Sequence, residues 1–218
     1  MNKRVSKKIF KVFCEGTTEY NYFEVLRKSK NLNLALRPID MKGGGYSSFL
    51  NEVRKDANSN CLAKFIVIDG DRANNVIEEQ HNLKKLIDYC ANMNSKGSIP
   101  HILIVNCPDF EYVACLHSPE YNGQEAKNFI INRYQYKDIG KFKADKEIFA
   151  FLNSKEKSYN VMLSKLQKSD LIIENCIKIT KKQFLIRVKT KSCLANLGRK
   201  SSNIFDFFEV IREFEDSI

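Results

Sequence analysis

Residues 8–23 read KIFKVFCEGTTEYNYF, and the fold of the chain turns on how they are read. Ile9, Val12 and Phe13 are β-branched or aromatic, so Lys8–Cys14 is expected to form a buried strand. Glu15-Gly16 breaks the run, and Thr17 or Thr18 can cap a helix whose apolar face carries Tyr22, Phe23, Val25 and Leu26. An α/β sheet binds ligands at the carboxyl ends of its strands, where this pattern places Glu15. An ordinary strand–helix turn with a solvated Glu15 fits the same residues.

Working outward, the alternation of strand and helix continues. Leu34–Met41 reads as a weaker strand, with Pro38 marking an edge or a strand end. Gly43-Gly44-Gly45 precedes a helix over Tyr46–Asp56 that buries Phe49, Leu50 and Val53. The glycines lack the Lys-Ser/Thr ending of a phosphate loop and fit a flexible turn. Ala63–Asp69 (AKFIVID) is a continuous apolar strand ended by Asp69-Gly70-Asp71, and a long helix follows over 76–93. His101–Val105 is the next strand; Pro108, Asp109, Phe110 and Glu111 open a helix carrying Val113, Ala114, Leu116 and His117. Elements in this order and of these lengths imply βαβ units and an α/β fold: a mainly parallel sheet with helices on both faces.

Beyond residue 120 the pattern changes. Gln124–Tyr134 and Ser154–Gln167 look helical, and the polar segment between them, YQYKDIGKFKADKE, reads as a loop. Cys176–Ile179 and Gln183–Val188 resemble a hairpin with a basic turn at Lys181-Lys182. Asn203–Phe214 is an amphipathic helix with Ile204, Phe207, Phe208 and Ile211 along one side. The expected organisation is an α/β core over 1–120 and a basic, helical and hairpin C-terminal elaboration over 121–218 packed on the same domain.

Composition narrows the function classes. The 218 residues are 43% hydrophobic and 28% charged, which describes a soluble globular protein, and no apolar run is long enough to span a bilayer. The basic MNKRVSKK leads into a strand, not into the apolar core of a signal peptide, so a cytoplasmic location is expected. Seven cysteines without CxxC spacing, and three dispersed histidines, argue for reduced thiols and against a disulfide framework or a zinc knuckle. The net charge of +10 is segregated. Residues 1–14 hold Lys3, Arg4, Lys7, Lys8 and Lys11 with no acid; between Glu174 and Asp206 lie Lys178, Lys181, Lys182, Arg187, Lys189, Lys191, Arg199 and Lys200, again with none. A polyanion such as nucleic acid fits that distribution, as does an acidic partner protein or a merely solvated face.

Three strand ends carry acids: Glu15, the Asp69/Asp71 pair, and Glu111 one turn into its helix. If the three strands are parallel neighbours, these carboxylates converge at one edge of the sheet. Asp69 and Asp71 are two apart, so on an extended backbone their side chains point the same way. Crowded carboxylates repel one another unless a cation neutralises them, and hard oxygen ligands suit Mg²⁺ or Mn²⁺. Such a metal beside a basic surface is equipment for phosphodiester chemistry. Unrelated surface acids, or helix caps and first-turn acids such as Glu19, are the plainer alternative.

Strand–Glu15-Gly16 followed by strand–Asp69-Gly70-Asp71 resembles the Toprim signature shared by topoisomerases, DnaG-type primases and OLD-type nucleases. Cys14-Glu15-Gly16, Thr18-Glu19, Tyr22-Phe23, and Pro108-x-Phe110-Glu111 with His117 six residues on resemble the RloB-like family, Toprim-related proteins of prokaryotic defence loci. The likeness covers roughly the first 120 residues. It implies a Toprim-like sheet, Mg²⁺ (or Mn²⁺) at the acidic edge, nuclease activity in abortive antiphage defence, and an AAA/ABC-type ATPase encoded nearby as partner. Carried over, Glu15 matches the Toprim glutamate, a general base or metal ligand, and Asp69 and Asp71 match the metal-binding pair. Glu19 and Glu111 match further acids of the RloB-like pattern that could complete a second metal site, and His117 matches a histidine without an assigned role. Cys107-Pro108 stands where the family has Asn-Pro, and the tryptophan expected after the glutamate is absent.

The resulting expectation is a metal-dependent nuclease acting on DNA or RNA, tRNA included. Glu15, Asp69, Asp71 and Glu111 would be catalytic, the same acids and Glu19 would hold metal, and the lysines and arginines of 178–200 would grip phosphates. The alternative is a non-catalytic module that docks on nucleic acid or on the ATPase. An oligomer is compatible with either.

Overall fold

The computed structural model describes residues 9–29, 35–40, 45–56, 60–166 and 168–215. Strand β1 (Ile9–Cys14) leads into helix α1 (Thr17–Ser29), β2 (Ala35–Asp40), α2 (Tyr46–Lys55) and β3 (Ala63–Asp69). A short α3 (Asp71–Asn75), a long α4 (Ile77–Ser95), β4 (His101–Cys107) and α5 (Phe110–Leu116) complete the first half. Four short helices and a hairpin then follow: α6 (Ala126–Asn132), α7 (Ile139–Lys143), α8 (Ile148–Leu152), α9 (Tyr159–Lys165), and the strands β5 (Ile173–Thr180) and β6 (Leu185–Ser192). The two-residue β7 (Ser201–Ser202) and α10 (Phe205–Glu215) close the described chain.

The chain is an α/β protein. Its main sheet has the order β2-β1-β3-β4-β7, parallel throughout except for β7, which pairs antiparallel with β4. β2 lies at an edge of the sheet, the position in which a strand tolerates a proline such as Pro38. Side-chain alternation along β1, β3 and β4 feeds two separate cores. Phe10, Val12, Phe65, Val67, Ile102 and Ile104 face one side, packed by α1 and by α5–α10; Phe13, Ile66, Ile68, Leu103 and Val105 face the other, packed by α2–α4. Burial on both faces explains the unbroken apolar runs of β3 and β4. Phe65, fully buried and 4.9 Å from the Phe207 ring, is a central contact, and truncating it to Ala is expected to cost about 3–5 kcal/mol.

Several expectations are corrected. Helix α1 already begins at Thr17, and the Gly16 carbonyl accepts the Tyr20 N–H at 3.2 Å, so neither threonine precedes the helix as its cap. The segment 134–147 is not simply a loop: it contains α7, and α8 follows directly. Their Phe142 and Phe149 are buried in the same core as α1, with the Phe149 ring 4.9 Å from Tyr22. Only Ala126–Asn132 and Tyr159–Lys165 are helical within the two longer helical spans expected there. Leu34, Met41, Gly43, Gly44, Gln167, Lys3, Arg4, Lys7 and Lys8 lie outside the described residues.

One polar knot ties the C-terminal elements to the sheet. Asn203 accepts the Val105 N–H at 2.8 Å and donates to the Leu103 carbonyl at 2.8 Å. Asp206 accepts from both Asn203 (3.0 Å) and Asn175 of β5 (2.9 Å). Burial pushes the Asp206 carboxyl up to about 6, against these two hydrogen bonds. The hairpin and α10 therefore dock on β4 through side-chain hydrogen bonds as well as through Ile186, Val188 and Phe207.

Candidate functional site

The neighbouring parallel strands β1, β3 and β4 bring their carboxyl ends to one edge. Register sets Cys14 beside Val67 and Asp69 beside Asn106, so Glu15 and Asp69 leave adjacent strands at nearly the same level. The Glu15 N–H donates to the Val67 carbonyl at 3.1 Å, and its side chain turns back to accept the Asp69 N–H at 3.0 Å. Glu19, one turn into α1, and Glu111, at the start of α5, are both buried. Asp109 caps α5 by accepting the Tyr112 N–H at 3.1 Å.

The two glycines at this edge are there for space. A Cβ on Gly70 would lie 2.1 Å from the Cys107 sulfur, and one on Gly16 would lie 2.8 Å from a Glu19 carboxylate oxygen. Gly70 is helical at φ −94°, ψ −9°, and this overturns the expectation for the aspartate pair. The backbone is not extended between them. Asp69 ends a strand half-buried, with its Oδ1 fully buried, whereas Asp71 opens α3 and is exposed. Asp71 nevertheless stands close enough for its charge to act on Glu15, Tyr46 and Cys107.

Burial and mutual repulsion push these acids toward their neutral forms. Burial raises the Glu15 carboxyl to about 7, against the Asp69 N–H and Arg72. Burial, then Glu111 and Glu15, raise Glu19 to about 8. Asp69 is pushed well above the carboxylate range by burial and then by Glu19, Glu111, Glu15 and Asp109. Glu111 is raised by burial and by Asp109. One oxygen on each of Glu19 (Oε1), Asp69 (Oδ1) and Glu111 (Oε2) is buried without a hydrogen-bond partner. Buried carboxylate oxygens without partners are costly and rare in a finished core.

Two cations answer the cluster, and neither was among the expected site residues. Arg72 lies 3.3 Å from Glu15, and Lys143 lies 3.1 Å from Glu111. Burial works against the charge on Lys143, but Glu111, Asp69 and Asp109 outweigh it and hold the ammonium above its ordinary range. Lys143 comes from α7, inside the segment expected to be a loop; a lysine with no local motif gives no sequence signal of this role. The Tyr46 hydroxyl donates to the Asp69 carbonyl at 2.6 Å and fixes the strand end from α2. The Tyr46 N–H donates to Glu79 at 3.1 Å, so the amide end of α2 behind Gly45 already faces a carboxylate of its own chain.

His117 is a core residue. Its Nε2 accepts the Tyr22 hydroxyl at 3.0 Å and its Nδ1–H donates to the Val113 carbonyl at 3.1 Å. Complete burial lowers it to about 4, so the ring is neutral. It takes no part in the acidic edge.

The basic residues divide. Lys178 pairs with Arg187 and Cys176 with Lys189 across the hairpin, and these side chains share its exposed face; Lys181, Lys182 and Lys191 are exposed as well. That face borders a groove of about 830 Å³ with Cys61, Leu62 and Pro100, residues that precede β3 and β4. The groove is thus at the amino ends of the strands, opposite the acids, and the expected single surface of acids and hairpin cations is not formed. Arg199 and Lys200, next to β7, are at the carboxyl end; Arg199 pairs with Asp170 at 2.6 Å.

Among the described residues, no three His, Cys, Asp or Glu side chains converge as they stand to hold a metal ion. No helix among them is long and apolar enough to cross a membrane. Comparison with family models, with curated proteins and with solved structures yields no match. On chemistry, the donors at the edge fit a hard divalent cation: they are carboxylate oxygens, buried, crowded, and partnerless on three residues.

Proposed function

We propose that the protein is a Toprim-like, Mg²⁺- or Mn²⁺-dependent nuclease. The reading rests on one observation: Asp69 at the end of β3, Glu19 in α1 and Glu111 in α5 stand within reach of one another's charge at the carboxyl edge of the parallel sheet, each with a partnerless buried oxygen. Asp69, Glu19 and Glu111 would hold the metal, with Glu15 beside them and Asp71 at the exposed rim. A bound divalent ion activates water and offsets charge on a phosphodiester. Glu15, balanced near neutrality and anchored by the Asp69 N–H, is suited to take a proton from an attacking water. Lys143 and Arg72 keep the edge from repelling a polyanion before metal is bound. The RloB-like resemblance supplies the setting: a defence effector in the cytoplasm, acting on DNA or RNA and held in check by an AAA/ABC-type ATPase.

The second reading is a nucleic-acid-binding module, favoured by the basic groove lying at the far end of the strands from the acids. Incubating the protein with duplex DNA, single-stranded DNA, total RNA and tRNA, with Mg²⁺ or Mn²⁺, separates the two. Cleavage that needs metal and disappears in Asp69→Asn supports the nuclease. Tight binding with no cleavage under any of these conditions, alone or with the ATPase, supports the module.

A further inference from the structure

A second concave site lies against α5. It is a cavity of about 390 Å³ walled by Tyr112 and Leu116 of α5, Tyr121 with the turn after it, Lys165 at the end of α9, and Lys200 at the start of β7. Its volume falls in the range of small-ligand pockets. The hydrogen-bond partners of both ammonium groups are neutral main-chain carbonyls. Lys165 donates to Ser118 (2.7 Å), Pro119 (2.9 Å) and Tyr121 (2.6 Å). Lys200 donates to Gly123 (2.7 Å) and Gln124 (3.1 Å), which leaves one of its three N–H groups for a ligand. The pocket therefore carries two positive charges held in place by dipoles and not neutralised by carboxylates. The half-buried ring of Tyr112, set edge-on to Tyr121 at 6.3 Å, supplies an aromatic wall beside them.

The pocket is joined to the acidic edge by covalent neighbours. Tyr112 follows Glu111, its N–H is bonded to Asp109, and Ser201 pairs with Cys107 at the end of β4. On the nuclease reading, a polynucleotide held at the acidic edge has this cavity as a neighbouring site on α5 and β7.

We propose that this pocket binds one phosphorylated nucleoside unit of a single-stranded polynucleotide. Lys200 and Lys165 attract its phosphate and the Tyr112 ring takes its base. Aromatic stacking tolerates any base, so the pocket selects an unpaired nucleotide and not a sequence. A paired base inside a duplex has no free face to offer, which makes single-stranded or looped segments the substrate class.

The position of the nucleotide relative to the acids rests on the proposed function, but the pocket can be tested without it. The full chain, in chelator, is titrated calorimetrically with UMP, AMP, uridine, inorganic phosphate and the dinucleotide UpU. The expected result is that each monophosphate binds on the order of tenfold more tightly than uridine or phosphate, and UpU at least as tightly. Lys200→Ala, at an exposed position, is expected to weaken UMP about tenfold and leave uridine unchanged. Tyr112→Ala is expected to weaken UMP and uridine together and leave phosphate unchanged. Monophosphates that bind no better than inorganic phosphate, or UMP binding indifferent to both substitutions, overturn the proposal. Rejection of UpU by a pocket that takes UMP overturns the polynucleotide assignment. Asp69→Asn should leave UMP binding intact: nucleotide binding without any cleavage defeats the nuclease reading alone, and metal-dependent cleavage without nucleotide binding defeats this inference alone.

Discussion

Neutralising Glu15 should stabilise the metal-free protein, and by an amount that depends on pH. In the folded chain its carboxyl titrates at about 7, against an ordinary 4.5. Between these values the folded state keeps a proton that the unfolded chain has released, so stability is greatest below pH 4.5 and falls as pH rises to about 7. The loss from this one group is under about 1 kcal/mol at pH 5 and about 3 kcal/mol at pH 7. Glu15→Gln abolishes the titration while its amide oxygen can still accept the Asp69 N–H. It also removes an attraction to Arg72 that is already contained in the titration at about 7. The expected gain at pH 7 is about 3 kcal/mol, or roughly 6–12 °C in Tm for a chain of this length, shrinking to under about 1 kcal/mol at pH 5. Thermal melts followed by circular dichroism, in chelator at both pH values, measure it. A variant that melts lower than wild type by the same margin at both pH values would show Glu15 to be a structural acceptor and not a strained carboxylate.

Other substitutions separate packing from site chemistry. Gly70→Ala drives a methyl to 2.1 Å from the Cys107 sulfur and is expected to destabilise by about 1–3 kcal/mol in urea titrations. Gly16→Ala puts a methyl 2.8 Å from a carboxylate oxygen of the buried Glu19, so its melting temperature should also fall, by less than that of Gly70→Ala. Tyr22→Phe strips His117 Nε2 of its donor and should cost about 1–2 kcal/mol while leaving metal binding unchanged; a loss of metal binding would put His117 back into the site. The triple variant Lys178→Ala/Arg187→Ala/Lys189→Ala should reduce the salt slope of polynucleotide binding by about 2–3, read by fluorescence anisotropy, and a slope equal to wild type would remove the groove from the nucleic-acid surface.

The strands at the centre of the sheet were legible because they are buried on both faces. IFKVFC, AKFIVID and HILIVNC are near-continuous apolar runs, and their order alone brought Glu15, Asp69 and Glu111 to one edge. What failed was local reasoning carried past its range. The two-residue period that aligned Asp69 with Asp71 holds on an extended backbone, and Gly70 ends that backbone to clear Cys107. Helices α7 and α8 are five residues each, too short for a helical period to stand out, and take their meaning only from Phe142 and Phe149 packing beneath α1. Lys143 went unseen for the same reason. β7 is two serines with no strand propensity, held by the Ser202 hydroxyl donating to Asn106 at 2.7 Å. The charge of the hairpin was plain in the sequence; its place at the far end of the sheet depends on the knot of Asn203, Asp206 and Asn175, which no local pattern announces.

The most direct test of a metal-bearing acidic edge is calorimetric titration of Mg²⁺ and Mn²⁺ into wild type and into Glu15→Gln/Asp69→Asn at pH 7.5. Binding by wild type that is lost in a folded double variant is the predicted result. Equal binding by both proteins, or none by wild type at millimolar metal even with an oligonucleotide present, would contradict it.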